Sequence, residues 1–164
     1  MLVVSDTSPI LNLAIIGRLD LLRTQFVEVL IPPTVLAELK PDTEFPGANI
    51  VRQALQDQWL RPVGIKDDRL IQALRLELDQ GEAEAIALSL ELKAEYVLMD
   101  EREGREIAKA MGLAPIGILG VLLRAKRESS LDSVEQAMVA LRQEAGFFIA
   151  EDLFSAVLVE AGES

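Results

Sequence analysis

Leu2-Val3-Val4-Ser5-Asp6 and Tyr96-Val97-Leu98-Met99-Asp100 are two short apolar runs, and each ends on an aspartate. Runs of this kind are typical of strands buried in a parallel sheet. In open α/β sheets the functional crevice lies at the carboxyl ends of the strands. We therefore expect Asp6 and Asp100 to point into one crevice. Crowded carboxylates repel each other, so the pair predicts a divalent cation between them.

Chain length and composition predict a single globular domain. The chain has 164 residues, of which 50% are apolar and 26% charged. No apolar stretch reaches the length of about 18 residues that a membrane span needs. The N-terminus lacks the basic region and small-residue cleavage pattern of a signal peptide. We therefore expect no membrane association and a cytoplasmic location.

Two missing residue types exclude several kinds of chemistry. The chain contains no cysteine and no histidine. Disulfides, thiolate catalysis, Ser-His-Asp triads and His-ligated zinc sites are thereby excluded. Any bound metal must be held by oxygen ligands, which favours Mg²⁺ or Mn²⁺.

The net charge of −11 is unusual for a protein that binds nucleic acid, because basic patches supply most nonspecific affinity for phosphate. Two basic clusters could still form a positive rim around a site, although both also fit an ordinary solvated helix face: Arg102, Arg105 and Lys109, and Arg124, Lys126 and Arg127.

Apolar runs alternate with helical patterns, which predicts an α/β fold with a parallel sheet of about five strands. The expected strands are 2–6, 27–31, 60–65, 96–100 and 114–118. Residues 1–127 are interpreted as the α/β domain, and residues 128–164 as a C-terminal helical extension of it.

Two helices matter for the site. Ser8-Pro9 predicts a helix N-cap followed by proline at the first helical position, with the helix running from Pro9 to Ile16. A strongly amphipathic helix is expected over 82–93, with Glu84, Glu91 and Lys93 on its solvated face.

The candidate site consists of carboxylates expected where strand ends and helix starts meet. The main candidates are Asp6, Glu38, Glu82 and Asp100, with Glu101 and Glu103 in reserve. Each also has a structural explanation. Asp100 with Glu103, and Asp79 with Glu82, have the spacing of a capping box. Glu38 could be exposed on its helix without a role, and Ser8 could act only as a helix cap.

These motifs resemble the PIN-domain family over nearly the whole chain. The matching stretches are Asp6-Thr7-Ser8-Pro9, the Pro-Pro-x-Val-x-x-Glu of 32–38, Gly81-Glu82-Ala83-Glu84-Ala85-Ile86, and Val97-Leu98-Met99-Asp100 followed by Gly104-Arg105. The C-terminal Ala145-Gly146-Phe147-Phe148-Ile149 is similar to a prokaryotic branch of that family, which is related to toxin-type ribonucleases.

The resemblance implies a three-layer α/β/α fold and a Mg²⁺- or Mn²⁺-dependent ribonuclease. It also implies a frequent role as the toxin of a toxin–antitoxin pair, with a small antitoxin protein as partner. Carried over by motif, Asp6, Glu38, Glu82 and Asp100 are the catalytic and metal-binding acids, and Glu103 is a further metal ligand. Glu82 stands where aspartate is more usual. Ser8, Arg102 and Arg105 are candidate substrate contacts.

The implied chemistry agrees with the residues available. Carboxylate-bound metals can activate water and offset the charge that develops on a phosphodiester, so no side-chain nucleophile is required. Two other functions stay open. One is a PIN-like module that binds a protein partner with little or no nuclease activity. The other is a phosphotransfer domain with Asp6 or Asp100 as acceptor, although no lysine follows strand 5 in a supporting motif.

The C-terminal segment is rich in apolar residues, which predicts a homodimer interface, as the family resemblance also implies. The residues concerned are Phe147, Phe148, Phe154, Val157 and Leu158. Because only 4% of the chain is aromatic, Trp59 and these phenylalanines are expected to pack in the core or a dimer rather than stack on RNA bases.

Overall fold

The computed structural model describes all residues, 1–164, and its centre is a five-stranded sheet. The strands are β1 (Val3–Ser5), β2 (Val29–Ile31), β3 (Leu60–Pro62), β4 (Tyr96–Leu98) and β5 (Pro115–Ile116). Their order is β3-β2-β1-β4-β5, and every neighbouring pair is parallel. The predicted parallel sheet is therefore confirmed.

Helices surround the sheet on both faces. They are α1 (Thr7–Ile15), α2 (Asp20–Phe26), α3 (Pro33–Leu39), α4 (Ala48–Gln56), α5 (Asp68–Leu74), α6 (Gln80–Leu92), α7 (Arg102–Ala110), α8 (Ile118–Arg127), α9 (Val134–Glu144) and α10 (Glu151–Ala161). None of them is long and apolar enough to cross a membrane.

Alternating side chains along the strands build two separate cores. Val3 belongs to a larger core with α1, α2 and α8, whereas its neighbour Val4 belongs to a smaller core with α5 and α6. This alternation follows from strand geometry, since successive side chains point to opposite faces. The result is the expected three-layer α/β/α arrangement.

The chain after residue 127 contains no strand. Its two helices pack against α8, and they contribute Val134, Met138, Leu141 and Val157 to the larger core. Trp59 is also buried in that core, as expected. Of the phenylalanines assigned to core or dimer packing, Phe147 and Phe154 pack against the larger core, whereas Phe148 is exposed.

The strands are shorter than the apolar runs that predicted them. Both edge strands contain proline, Pro62 in β3 and Pro115 in β5. Proline has no N–H to donate to a ladder and is confined to the edges of sheets, which limits the pairing of these segments. Val27 has a positive φ of 68° at the end of α2, which turns the chain there, and β2 begins only at Val29.

Two helix predictions were wrong in detail. The residue that precedes α1 is Asp6 and not Ser8, so α1 starts at Thr7. The helix α6 is not amphipathic, because residues 81–89 are all buried between the sheet and helices α3 and α5. Glu84 therefore lies in the interior rather than on a solvated face, while Glu91 is half-buried.

Candidate active site

The candidate site lies above the middle of the sheet, at the carboxyl ends of β1 and β4. These strands are neighbours with Ser5 paired to Leu98, and the backbone N–H of Asp6 donates to the Leu98 carbonyl at 2.9 Å. Asp6 and Asp100 consequently follow two adjacent strands at the same edge. The location agrees with the general rule for open α/β sheets.

Asp6 and Glu38 meet at Gly81, in the first turn of α6. A Cβ atom at residue 81 would overlap Glu38 Oε1 and lie 3.4 Å from Asp6 Oδ1. The hydroxyl of Thr7 donates to Glu38 Oε1 at 3.0 Å, which links the start of α1 to the exposed end of α3. Glycine at position 81 therefore allows two carboxylates from distant parts of the chain to approach the same helix terminus.

Asp6 is the most strongly perturbed acid of the chain. Its pKa is raised from the ordinary value of 3.8 to about 7, chiefly because the carboxyl group is buried. The negative charges of Asp79, Glu82 and Glu38 raise the pKa further, whereas the backbone N–H of Thr7 lowers it. None of these main causes is a positively charged side chain. A carboxylate in this position is one that a cation would stabilise.

Glu82 forms the capping box that its spacing from Asp79 predicted. The backbone N–H of Glu82 donates to Asp79 Oδ1 at 2.8 Å, and the N–H of Asp79 donates to Glu82 Oε2 at 3.1 Å. Burial raises the pKa of Glu82, as do the charges of Asp79, Glu101 and Glu103, against the lowering effect of the Asp79 N–H. Glu82 thus has a structural role and still faces the acidic cluster.

Asp100 does not form the capping box with Glu103 that the sequence allowed. The residue that precedes α7 is Glu101, whose side chain makes no capping hydrogen bond. Asp100 instead accepts from the backbone N–H of Ile118, at the start of α8, at 2.7 Å, and from the Ser8 hydroxyl at 3.4 Å. Burial raises the pKa of Asp100, although these two donors and Arg105 oppose the effect.

The two arginines proposed as substrate contacts differ in position. Arg105 is half-buried and donates to the Met99 carbonyl at 3.0 Å. A Cβ atom at Gly117 would lie 3.0 Å from Arg105 Nη1 and 3.1 Å from Asp100 Oδ1, so the guanidinium lies near the Asp100 carboxylate, although the two form no ion pair. Arg102 is exposed and pairs with Glu106 at 3.1 Å. Glu103 is exposed in the first turn of α7.

The acids are gathered at one edge of the sheet but do not form a complete set of ligands. No three acidic side chains are arranged closely enough to surround a single ion. Asp6 and Glu38 approach each other at Gly81, whereas Asp100 is directed towards Ile118 and Ser8. The donor atoms are all carboxylate oxygens, the type that Mg²⁺ and Mn²⁺ prefer. The pair at Gly81 therefore fits a hard divalent cation by its chemistry.

Glu84 is a residue whose role sequence reasoning missed. It is 6% exposed and accepts from the backbone N–H of Thr34 at 3.1 Å, from the Thr34 hydroxyl and from the Gln80 side-chain amide. Thr34 is the second residue of α3, the helix that carries Glu38. Pro33-Thr34 at a helix start was a signal for a buried acceptor, because the first N–H groups of a helix need partners.

The fold and the position of the acids agree with a comparison against protein families. The family model that matches the chain covers residues 2–163 and is described as DUF3368, a PIN domain. No curated protein was found to match the chain. PIN domains are generally nucleases and typically use divalent metals. Because the match spans almost every residue, the chain belongs to the PIN-domain family.

Proposed function

We propose that the protein is an endoribonuclease that hydrolyses RNA phosphodiesters with Mg²⁺ or Mn²⁺. Asp6 and Glu38, which approach each other at Gly81, would hold the ion first, and Glu82, Asp100 and Glu103 would complete the set of ligands after their side chains rearrange around it. The observation that carries the proposal is the approach of Asp6 and Glu38 at Gly81, at the carboxyl edge of the sheet. A nuclease-type fold with acidic side chains at this edge agrees with the family.

The chain's own residues hold the acids in place. Thr7 orients Glu38, Asp79 orients Glu82, and Ile118 and Ser8 orient Asp100, each through a hydrogen bond. A divalent ion, when bound, supplies an activated water and offsets the negative charge that develops on the phosphate. Orientation by neighbouring donors reduces the rearrangement needed before reaction.

The substrate phosphate would be attracted by Arg105, which lies beside Asp100. Arg102 would act further out, on the exposed surface of α7. The chain carries a net charge of −11, so RNA binding should depend strongly on the bound cation. This dependence separates the protein from nucleases that bind RNA mainly through a basic surface.

A cleavage assay tests the proposal directly. The purified protein, freed of any partner, is incubated with single-stranded and structured RNA in Mg²⁺, in Mn²⁺ or in EDTA. We expect cleavage with metal and none in EDTA or with the Asp6→Asn variant. Wild-type protein that cleaves no RNA with either metal would contradict the ribonuclease proposal and favour a PIN-like protein-binding module.

We extend the proposal to a biological role as the toxin of a toxin–antitoxin pair, acting on RNA in the cytoplasm with a small antitoxin protein as partner. The family resemblance and the acidic site support this role. Expression of the wild-type chain should arrest growth, and expression of Asp6→Asn at the same level should not. Growth arrest that is equal for both variants would contradict a toxin that acts by RNA cleavage.

A further inference from the structure

A groove of about 580 Å³ opens beside the Asp100 end of the candidate site. Its lining includes Asp100 and Arg105 as well as Phe147, Phe148 and Leu153. The groove therefore combines charged side chains of the proposed site with apolar ones. A nucleotide has the same combination, with a charged phosphate at one end and a flat apolar base at the other.

Phe148 lines this groove and displays its aromatic ring to solvent. Its exposed fraction is 85%, the highest of any phenylalanine in the chain. The neighbouring residues are anchored, because Phe147 donates its backbone N–H to the Leu141 carbonyl at 2.9 Å and Ile149 is 3% exposed. The ring is thus held outwards by a fixed backbone.

Two glycines line the groove where it meets α8, and neighbouring side chains pack closely against both. Gly117 precedes α8, and Gly120 lies in its first turn. A Cβ atom at Gly117 would crowd Arg105 and Asp100, and a Cβ at Gly120 would lie 3.2 Å from Ile116. The turn before α8 therefore packs closely against Arg105 and Asp100, which places these two side chains at the groove.

We propose that this groove binds the nucleobase next to the scissile phosphate of single-stranded RNA, by stacking on Phe148. The proposal rests on the proposed ribonuclease function, and it adds a subsite to it. Aromatic side chains stack on bases without strong sequence preference. A base paired inside a duplex is not free to stack in this way, so the subsite selects unpaired RNA.

The dimensions and the polarity of the groove favour a base over a protein partner. A stable protein interface buries about 800 Å² on each side. The large apolar side chains that the groove exposes are Phe148 and Leu153. Its lining includes the Arg105 guanidinium and Asp100 of the proposed metal site, and a guanidinium suits the phosphate of the same nucleotide. A low aromatic content does not prevent stacking, since one base needs only one ring.

The test compares Phe148 variants on intact RNA and on RNA that lacks the bases next to the cleaved bond. Binding of a fluorescently labelled single-stranded RNA is measured by anisotropy with Ca²⁺ in place of Mg²⁺, and KM and kcat for cleavage are measured with Mn²⁺. The variants are Phe148→Ala, Phe148→Trp and Phe148→Leu. A second RNA is abasic on either side of the cleaved bond. Phe45→Ala is the matched control, because Phe45 is 57% exposed and does not line the groove.

We expect Phe148→Ala to weaken binding and raise KM by roughly 5- to 150-fold for intact RNA, the range that base–aromatic stacking spans. Phe148→Trp should retain the wild-type affinity, and Phe148→Leu should resemble alanine. On the abasic RNA, the wild type and Phe148→Ala should be equal, and Phe45→Ala should match the wild type on both RNAs.

Four outcomes would overturn the subsite. If Phe148→Ala cleaves intact RNA with the KM and kcat of the wild type, the subsite is rejected and the ribonuclease proposal is unaffected. Wild-type protein that neither binds nor cleaves RNA would remove both proposals. Equal losses in Phe148→Ala and Phe45→Ala would indicate a general effect of exposed rings. If Phe148→Ala binds RNA as the wild type does but has the mass of a monomer where the wild type is a dimer, the surface around Phe148 would be a protein interface.

Discussion

The backbone N–H of Ile118 donates a hydrogen bond to Asp100 Oδ1 at 2.7 Å, and this bond joins the end of β4 to the start of α8. A residue proposed as a metal ligand is therefore also a cap for a neighbouring helix. Capping and metal binding had been alternative explanations for this aspartate. The structure makes them compatible, since the second carboxylate oxygen accepts only the longer bond from Ser8.

Substitution of Asp100 separates its two roles. Asp100→Asn keeps an oxygen that can accept from Ile118, so we expect a large loss of cleavage with little change in the free energy of unfolding. Asp100→Ala removes the acceptor as well and should lower the free energy of unfolding by about 1 kcal/mol. Chemical denaturation and a cleavage assay measure the two effects. Equal stability of both variants would contradict the capping role.

Asp6→Asn should reduce cleavage by orders of magnitude. Without metal, its free energy of unfolding should equal or exceed that of the wild type. The side chain of Asp6 makes no capping hydrogen bond to the second or third residue of α1, so no cap is lost. One member of a repelling acidic cluster is removed, which favours the folded state. Melting without metal, together with the cleavage assay, checks both effects. A clear loss of metal-free stability would mean that Asp6 is structural.

The metal-free protein should become less stable as pH rises from about 4 to about 7. Asp6 has a pKa of about 7 when folded, against an ordinary value of 3.8, so in this window the folded state holds a proton that the unfolded chain has lost. Stability falls with pH wherever the folded state binds more protons. We expect a contribution of roughly 1–4 kcal/mol from Asp6.

The contribution of Asp6 is measured as the difference in the free energy of unfolding between wild type and Asp6→Asn across this pH range. Acids remote from Asp6 affect both proteins alike, so their contributions largely cancel in the difference. Saturating Mn²⁺ should reduce the fall in the wild-type free energy of unfolding as pH rises, because a bound cation stabilises the ionised carboxylate. A difference that does not vary with pH would contradict the raised pKa.

Glu84→Gln should lower both stability and kcat, although Glu84 lies outside the proposed set of ligands. The new amide group would face the donors of Thr34 and Gln80, at an expected loss of about 1–3 kcal/mol. Displacement of α3 would move Glu38, and misplacement of this kind can reduce kcat by up to about 100-fold. Thermal melts and steady-state kinetics measure the two quantities.

The matched control for Glu84 is Glu91→Gln, at the far end of the same helix. Glu91 accepts from the backbone N–H groups of Lys66 and Asp67, each at 2.8 Å. This variant should lose stability and keep the wild-type kcat. If Glu84→Gln likewise kept the wild-type kcat, Glu84 would be a purely structural residue.

The homodimer stays a prediction, and the structure leaves fewer of the predicted interface residues exposed. Of the apolar residues assigned to an interface, Val157 is buried and Phe147, Phe154 and Leu158 pack against the larger core. Phe148 is the exposed residue of that set, and since its ring is assigned above to base stacking, the predicted dimer must form through a surface that leaves this ring free. We expect a dimer mass by light scattering at micromolar concentration. A monomer mass would show that the C-terminal helices serve only to complete the core.

Local sequence was sufficient for the parallel sheet and for the positions of Asp6 and Asp100. Buried strands between two helix layers must be continuously apolar, so the strands that contain Val3-Val4 and Val97-Leu98 can be recognised from the sequence. A polar residue that ends such a run is bound to lie at the sheet edge. The capping box of Asp79 and Glu82 was predictable for the same reason, since both partners lie within one helical turn.

Contacts between distant segments were decided only by the tertiary structure. Glu84 is buried because Thr34, fifty residues away, presents donors to it, and no pattern within α6 distinguishes it from a solvated residue. Asp100 caps α8 rather than α7 because β5 and α8 pack beside β4. The sequence by itself determined which residues are apolar, acidic or turn-forming. The packing of helices against the sheet determined which of those acids meet, because burial and hydrogen bonding depend on neighbours that the local sequence does not contain.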